Sequence, residues 1–178
     1  KKKWFRIIAP KEFNDMCIGE TFASEPREMI GRVVRVDLMA LGSDQRRQGV
    51  SVSFRVISAN DKDAICKTVG YKISGSNVRR IVRKGADKMD NSFLAETKNG
   101  GKFKIKSVIS TRFRVNASVI SALRKRSAEF ISEKIKDIDT SDLFLSVIRG
   151  NLQKDIKADV RKICPIGACE IRALELVA

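Results

Sequence analysis

The sequence predicts an α+β protein in which a β core is followed by helices, and three observations lead to that class. Between Val50 and Val56, apolar residues alternate with polar ones, which is the period of a strand with one buried face. From Asn116 onward the apolar spacing becomes helical. The segment from Cys169 to Val177 returns, less regularly, to a strand pattern. With 178 residues, 43% of them hydrophobic, the chain can bury one substantial core.

These patterns predict a domain organisation with two parts. Residues 1–30 show no sustained period and are interpreted as an extended basic arm laid on a partner. Residues 31–178 are interpreted as a single α+β domain. Within it we expect a β core at 31–115, a helical part at 116–165 and a terminal strand at 166–178.

The β core should contain several strands and one short basic helix. Besides residues 50–56, strands are expected at residues 32–38 and 64–73. A helix is expected from Ser76, ending at Gly85. Residues 92–97 and 102–108 flank a four-residue connection with two glycines, which is typical of a hairpin. Alternation in residues 112–115 indicates one more strand segment.

The helical part should contain three helices. The first has one apolar face running from Val119 to Ile135. Thr140 is expected to cap the second, which ends at Gly150. The third is expected to run from Leu152 to the region of Pro165.

The distribution of charge is the strongest indication of function in the sequence. The excess of cationic residues lies entirely in the first 128 residues. That part has 28 basic and 12 acidic side chains, whereas the last fifty residues have 8 and 9. The segment from Thr97 to Ala128 contains nine Lys or Arg and no Asp or Glu. Neutralising phosphates releases condensed counterions, so such a surface favours nucleic acid as partner.

The candidate RNA-binding residues are the basic side chains of the arm, the loops, the short helix and the hairpin, together with one aromatic residue. Lys102, Lys104 and Lys106 should form a row on one strand face, with edge-strand protection as the alternative role. Trp4 could stack on bases or anchor in the protein core. Arg46 and Arg47 could clamp phosphates or belong to a mobile loop. The full set is Lys1, Lys2, Lys3, Trp4, Arg6, Arg46, Arg47, Arg79, Arg80, Arg83, Lys84, Lys88, Lys102, Lys104, Lys106, Arg112, Arg114, Arg124, Lys125 and Arg126.

Catalysis, cofactors and metal are not expected. The chain has no His, and its Asp pairs and clusters have the composition of turns and helix caps. The cysteines Cys17, Cys66, Cys164 and Cys169 lack the spacing of a zinc site and are interpreted as free, buried thiols. Neither a secretion signal nor a membrane helix is recognised, so we expect a cytoplasmic protein.

A dozen strings in order make the sequence similar to a known family. The opening strings are Ile18-Gly19-Glu20-Thr21, Ala23-Ser24-Glu25-Pro26 and Ile30-Gly31-Arg32-Val33-Val34. Later ones include Gly70-Tyr71, Lys88-Met89-Asp90, Thr97-Lys98-Asn99-Gly100 and Ile163-Cys164-Pro165-Ile166. In their order these strings closely resemble the archaeal and eukaryotic small-subunit ribosomal protein family S-three-A-e, over almost the whole chain.

The resemblance implies a structural protein of the small ribosomal subunit, on the platform near the messenger exit. Its fold would be an antiparallel β-barrel-like core with a short basic helix, followed by C-terminal helices and a returning strand. Its partners would be small-subunit ribosomal RNA and neighbouring ribosomal proteins, with no membrane and no small-molecule substrate. A free-standing single-strand RNA-binding protein is the alternative. A metal-dependent nuclease fits the charge but lacks a convergent carboxylate set.

Overall fold

The chain divides into two compact units, Lys1–Tyr71 and Lys72–Ala178. The structure is a computed structural model, and it describes residues 2–42, 48–60 and 62–177. The sequence had suggested one domain from residue 31 to residue 178, so the division after Tyr71 differs from that expectation. Both units combine paired strands with a buried apolar core.

The first unit is built from five strands. They are β1 (Lys3–Ile8), β2 (Cys17–Ala23), β3 (Val33–Asp37), β4 (Val50–Ala59) and β5 (Asp63–Ile73), the last of which extends two residues past Tyr71. β1 pairs antiparallel with β2 and parallel with β5, and β4 lies between β5 and β3. Among the described residues no pairing joins β2 to β3, so these strands form an open sheet and the barrel-like closure is not confirmed.

The first thirty residues are not the extended arm that the sequence suggested. β1 and β2 pair from Lys3 opposite Ala23 to Ile8 opposite Cys17. Phe5 and Phe13 are buried, and Phe13 packs edge-to-face on Phe54 of β4 with ring centroids 5.3 Å apart. The strands are short, the register shifts next to Ile8, and 3₁₀ turns follow each strand. These interruptions explain why no sustained period was visible.

The second unit contains the predicted hairpin and the four α-helices found in the described residues. Its elements are α1 (Gly75–Ile81), β6 (Lys88–Glu96), β7 (Lys102–Thr111), α2 (Ala117–Lys136), α3 (Thr140–Arg149), α4 (Asn151–Val160) and β8 (Ile166–Val177). β7 pairs antiparallel with β6 on one side and β8 on the other. α2 packs on β6, and α4 packs on both α2 and β8. The predicted α+β class with a returning terminal strand is confirmed.

Apolar residues of the strands and helices meet in the core of this unit. Phe103 and Ile105 of β7 are fully buried, and the Phe103 ring packs edge-to-face on Phe144 of α3 at 5.7 Å. Leu123 and Ile131 supply the predicted apolar face of α2. This packing stabilises β7 in its place, because each buried aromatic or aliphatic side chain adds about 1.5 to 3 kcal/mol of hydrophobic stabilisation.

The segment after β7 is not the strand that its alternating sequence suggested. β7 ends at Thr111, and the following residues bend before α2 begins. The backbone N–H of Arg112 donates to the carbonyl of Pro165 at 3.1 Å, and that of Val115 donates to the Asp87 carboxylate at 2.8 Å. Because these N–H groups find acceptors outside the hydrogen-bond ladder of the sheet, residues 112–115 form a bend instead of continuing β7.

Candidate RNA-binding surface

Two arginines of the second unit come from the short helix and the turn after it. Ser74, rather than Ser76, caps α1, since its hydroxyl accepts the Asn77 N–H at 3.4 Å. Val78 anchors the helix in the core. The helix ends at Ile81, and Gly85 at φ 85° supports the turn that follows. Arg80 in the last helical turn and Arg83 in the turn are therefore exposed on a short, anchored element.

A third arginine comes from the bend after β7. Hydrogen bonds connect this bend to the turn after α1. The Thr111 N–H donates to the Asp87 carbonyl at 3.0 Å, and the Asp87 N–H donates to the Thr111 hydroxyl at 3.0 Å. The Thr111 hydroxyl donates to the Phe113 carbonyl at 2.7 Å. Arg112 lies inside this bonded segment, so its backbone position is defined although its side chain is exposed.

Arg80, Arg83 and Arg112 line one cavity of about 530 Å³, which we call the arginine cavity. Its remaining walls are Ile81, Ala86, Ser110, Thr111, Gly167 and Ala168. At Gly167 the strands approach closely, because a Cβ atom there would lie 3.0 Å from the Thr111 carbonyl oxygen. Residues far apart in the sequence thus meet through the pairing of β7 with β8.

The arginine cavity is positively charged and uncompensated. No carboxylate lines it, and in the described part of the chain the three arginine side chains make neither an ion pair nor a hydrogen bond. Guanidinium groups present planar sets of donors that match phosphate oxygens. The geometry is therefore suited to a bound polyanion.

The lysine row has different surroundings. Lys102 and Lys104 of β7 are exposed and Lys106 is half-buried, opposite the buried Phe103 and Ile105, so the predicted orientation is confirmed. Sheet pairing nevertheless introduces acidic neighbours: Glu96 of β6 makes a 3.3 Å ion pair with Lys102, and Glu175 of β8 stands directly opposite Lys104. The segment from Thr97 to Ala128 contains no acidic residue, but the folded sheet places acidic residues from other segments beside its lysines.

The basic residues of α2 divide into exposed cations and one structural cation. Arg124 and Lys125 are exposed, with no ion pair among the described residues. Arg126 donates twice to the buried Asp159 carboxylate of α4, at 2.7 and 3.0 Å. This hydrogen bonding lowers the pKa of Asp159 and raises that of Arg126. Arg126 is therefore engaged in holding α2 to α4 rather than free to contact RNA.

The N-terminal candidates lie on the hairpin of β1 and β2. Trp4 is 69% exposed and meets Phe22, directly opposite it, edge-to-face at 5.7 Å. Lys2 lies 5.0 Å from the centre of the Phe22 ring. Arg6 pairs with Asp63 at 3.1 Å, and Lys3 is exposed. Of the two roles considered for Trp4, anchoring in the core is wrong, because the ring lies on the surface.

The remaining candidates do not join a common site. Arg79, Lys84 and Arg114 are exposed, while Lys88 pairs with Asp90. Lys1, Arg46 and Arg47 lie outside the described residues.

Arg172 is a further exposed cation that the sequence-based candidates did not include. It is the extra residue where the β7–β8 register shifts, and it is exposed. With Lys106 and Asp90 it lines a second cavity of about 250 Å³. A single arginine in an imperfectly alternating strand gave little signal, because the register shift depends on the partner strand.

The cysteines are free thiols, as expected, but one of them is not buried. Cys17 is exposed, whereas Cys66, Cys164 and Cys169 are buried. Burial raises the pKa of Cys66 to about 11 and that of Cys169 to about 12. Cys66 and Cys169 are therefore protonated at neutral pH, and all three buried cysteines serve as small apolar groups in the core.

A cavity lined by three arginines on an anchored α+β unit is typical of surfaces that bind polyanions. In the described part of the chain, no helix is long and apolar enough to cross a membrane.

The sequence profile of the Ribosomal S3Ae family matches residues 1–178, so the chain belongs to that family of ribosomal structural proteins and is not an enzyme. This result confirms the resemblance found in the sequence.

Individual relatives agree with the family match. The chain is 27% identical to small ribosomal subunit protein eS1 of Methanothrix thermoacetophila over 177 residues, covering 99% of this chain and 84% of the relative. It is 28% identical to eS1 of Desulfurococcus amylolyticus, over 99% and 83% of the two chains. It is 30% identical to eS1 of Saccharolobus islandicus, over 99% and 85%.

Proposed function

We propose that this chain is a structural constituent of the small ribosomal subunit that binds ribosomal RNA on the platform near the messenger exit, in the cytoplasm. Family membership supports the ribosomal role, and the names of the relatives support the small subunit. The family resemblance is the support for the proposed platform position. Neighbouring small-subunit proteins would meet the nearly neutral C-terminal helices.

The arginine cavity is the observation that carries RNA binding. The guanidinium groups of the three cavity arginines are unpaired among the described residues, so they can donate hydrogen bonds to phosphates without first breaking ion pairs. Exposed Lys84, Arg114, Arg124 and Lys125 add further positive charge to the surface of the same unit. Contact with folded RNA through phosphates and sugars, by shape rather than by base sequence, fits such a distribution.

Sedimentation of tagged protein from lysate tests this function. The protein should migrate with small subunits through a salt wash, and a free pool alone would contradict the ribosomal role. With isolated small-subunit RNA fragments, six to ten phosphate contacts should cost about a thousandfold or more in affinity between about 50 and 200 mM salt. A nearly flat salt dependence would contradict phosphate-based binding.

Exposed aromatic residues favour a second candidate, a free-standing protein that binds single-stranded RNA. Trp4 and Phe22 are exposed beside Lys2, and Phe113 is half-exposed between two arginines. Aromatic side chains on a basic surface can stack with bases, each contact contributing about 1 to 3 kcal/mol. Tight binding to unstructured oligonucleotides, together with a free pool in lysate, would favour this candidate over the ribosomal one.

A further inference from the structure

The arginine cavity has the size and the chemistry to hold more than a phosphate group. Its volume of about 530 Å³ lies in the range of small-molecule sites, about 300 to 1,000 Å³. Its walls are of two kinds: three arginines supply positive charge, and Ile81, Ala86 and Ala168 supply apolar surface. A ligand that fills both parts needs an anionic group joined to a flat, largely apolar one.

We propose that the arginine cavity receives one nucleotide extruded from the stack of a folded RNA. Its phosphate lies among Arg80, Arg83 and Arg112, and its base lies against the apolar wall. This inference rests on the proposed RNA-binding function and adds to it the kind of RNA element recognised. Bases in bulges and loops are unstacked and can enter a recess, whereas the paired bases of a duplex cannot.

Arginine suits this role better than lysine. A guanidinium plane can stack on a base while its N–H groups bond a phosphate, and Arg80 and Arg112 enter the cavity from different elements. Phe113, the residue after Arg112, is 52% exposed and can stack with a base next to the extruded one.

The cavity is preformed, which reduces the entropy lost on binding. The bonds between Asp87 and Thr111 fix the turn after α1 against the end of β7. The close approach at Gly167 leaves no room for a side chain beside the Thr111 carbonyl. The backbone around the cavity therefore does not need to rearrange to admit a nucleotide.

Two RNA hairpins with the same short, stacked loop, one with a single-nucleotide bulge in its stem and one with a fully paired stem, provide the test. The full chain should bind the bulged hairpin about tenfold more tightly, because only that hairpin offers an extruded base to stack in the cavity. Ala86→Leu fills the apolar wall without changing charge, and it should abolish this preference while leaving the paired hairpin bound as before. Ala122→Leu, at an exposed position of α2, is the matched control and should keep the preference.

Ala168→Leu fills the same wall from β8 and replaces Ala86→Leu if that variant melts at a lower temperature than the parent. Equal binding of the two hairpins by the parent protein would overturn the nucleotide proposal and leave RNA binding intact. A preference that survives both leucine variants would overturn it as well. Failure to bind either hairpin would instead contradict the proposed function on which it rests.

Discussion

The arginine cavity and the lysine row are two basic regions of one unit, and they differ in what surrounds their charges. The arginines come from α1, the turn after it and the bend after β7, and no carboxylate lines their cavity. The lysines come from one strand, and its neighbours place Glu96 and Glu175 beside them. Unpaired cations release counterions fully when they meet phosphate, whereas paired cations must first exchange partners.

The comparison shows that charge along a chain and charge on a surface are separate quantities. The acid-free segment from Thr97 to Ala128 includes all of β7, yet the face of β7 is shared with strands from outside that segment. The arginine cavity draws two of its arginines from outside the same segment. Strong RNA contact is therefore expected at the cavity rather than at the strand with the most regular charge pattern.

Neutralising the arginine cavity should have the largest effect on RNA binding. Arg80, Arg83 and Arg112 changed together to Gln should lower affinity for a small-subunit RNA fragment about a hundredfold at about 0.1 M salt, with a salt slope shallower by about three units. Filter binding across a salt series measures both quantities. Lys136, Lys154 and Arg161 changed to Gln remove the same charge from the helical part and should change affinity little.

Neutralising the lysine row should have a smaller effect. Lys102, Lys104 and Lys106 changed to Gln should lower affinity by less than about tenfold, because Glu96 and Glu175 already compensate part of the charge. Circular dichroism should show an unchanged fold, since the buried side of β7 is untouched. An effect equal to that of the arginine variant would mean that the acidic neighbours do not matter.

Arg126→Gln should affect stability and not RNA binding. Asp159 is buried, and loss of its bidentate partner leaves its charge with only the more distant Lys162 at 3.4 Å. We expect a lower melting temperature with RNA affinity unchanged within about twofold. A large loss of affinity at unchanged stability would return Arg126 to the RNA-binding set.

The same ion pair predicts a pH dependence. The pKa of Asp159 is lowered in the folded state, so its contribution to stability is present above its unfolded value near 4 and is lost as pH falls through the folded value. The difference in melting temperature between the parent and Arg126→Gln should therefore be larger at about pH 7 than at about pH 3. A difference that grows on acidification would contradict this assignment.

Removing one acidic neighbour of the lysine row should produce a small change in RNA affinity, in the opposite direction. Glu175→Gln leaves Lys104 without its cross-strand carboxylate and should raise RNA affinity by about twofold to fivefold. Competition binding against the parent chain measures it. Weaker binding would indicate that Glu175 orders Lys104 for its contact.

The sequence predicted local features where one strand or helix face determines the outcome. Phe103 and Ile105 opposite the lysines, the hairpin with Gly100 at φ 73°, and the apolar face of α2 all follow from short periods. The first hairpin was missed, although Phe5 and Ile7 alternate with exposed residues, because a register shift and 3₁₀ turns interrupt the pattern.

The arginine cavity could not be predicted from the sequence, because it forms through contacts between residues far apart in the chain. Arg80 and Arg112 meet because Asp87 bonds Thr111 and because β8 returns Gly167 to the end of β7. The pairing of Arg126 with Asp159 requires α2 and α4 to pack together. Neither arrangement produces a periodic pattern in the sequence. The sequence therefore identified the basic residues but did not show which of them are paired with carboxylates.

The structure of the small subunit assembled with this chain, determined by cryo-electron microscopy, tests the central claim most directly. We predict guanidinium nitrogens of Arg80, Arg83 and Arg112 within about 3 Å of ribosomal RNA phosphate oxygens. Lys102 should remain paired with Glu96 and make fewer contacts with RNA. An arginine cavity that faces solvent or protein, with the lysine row lying on RNA, would contradict the account.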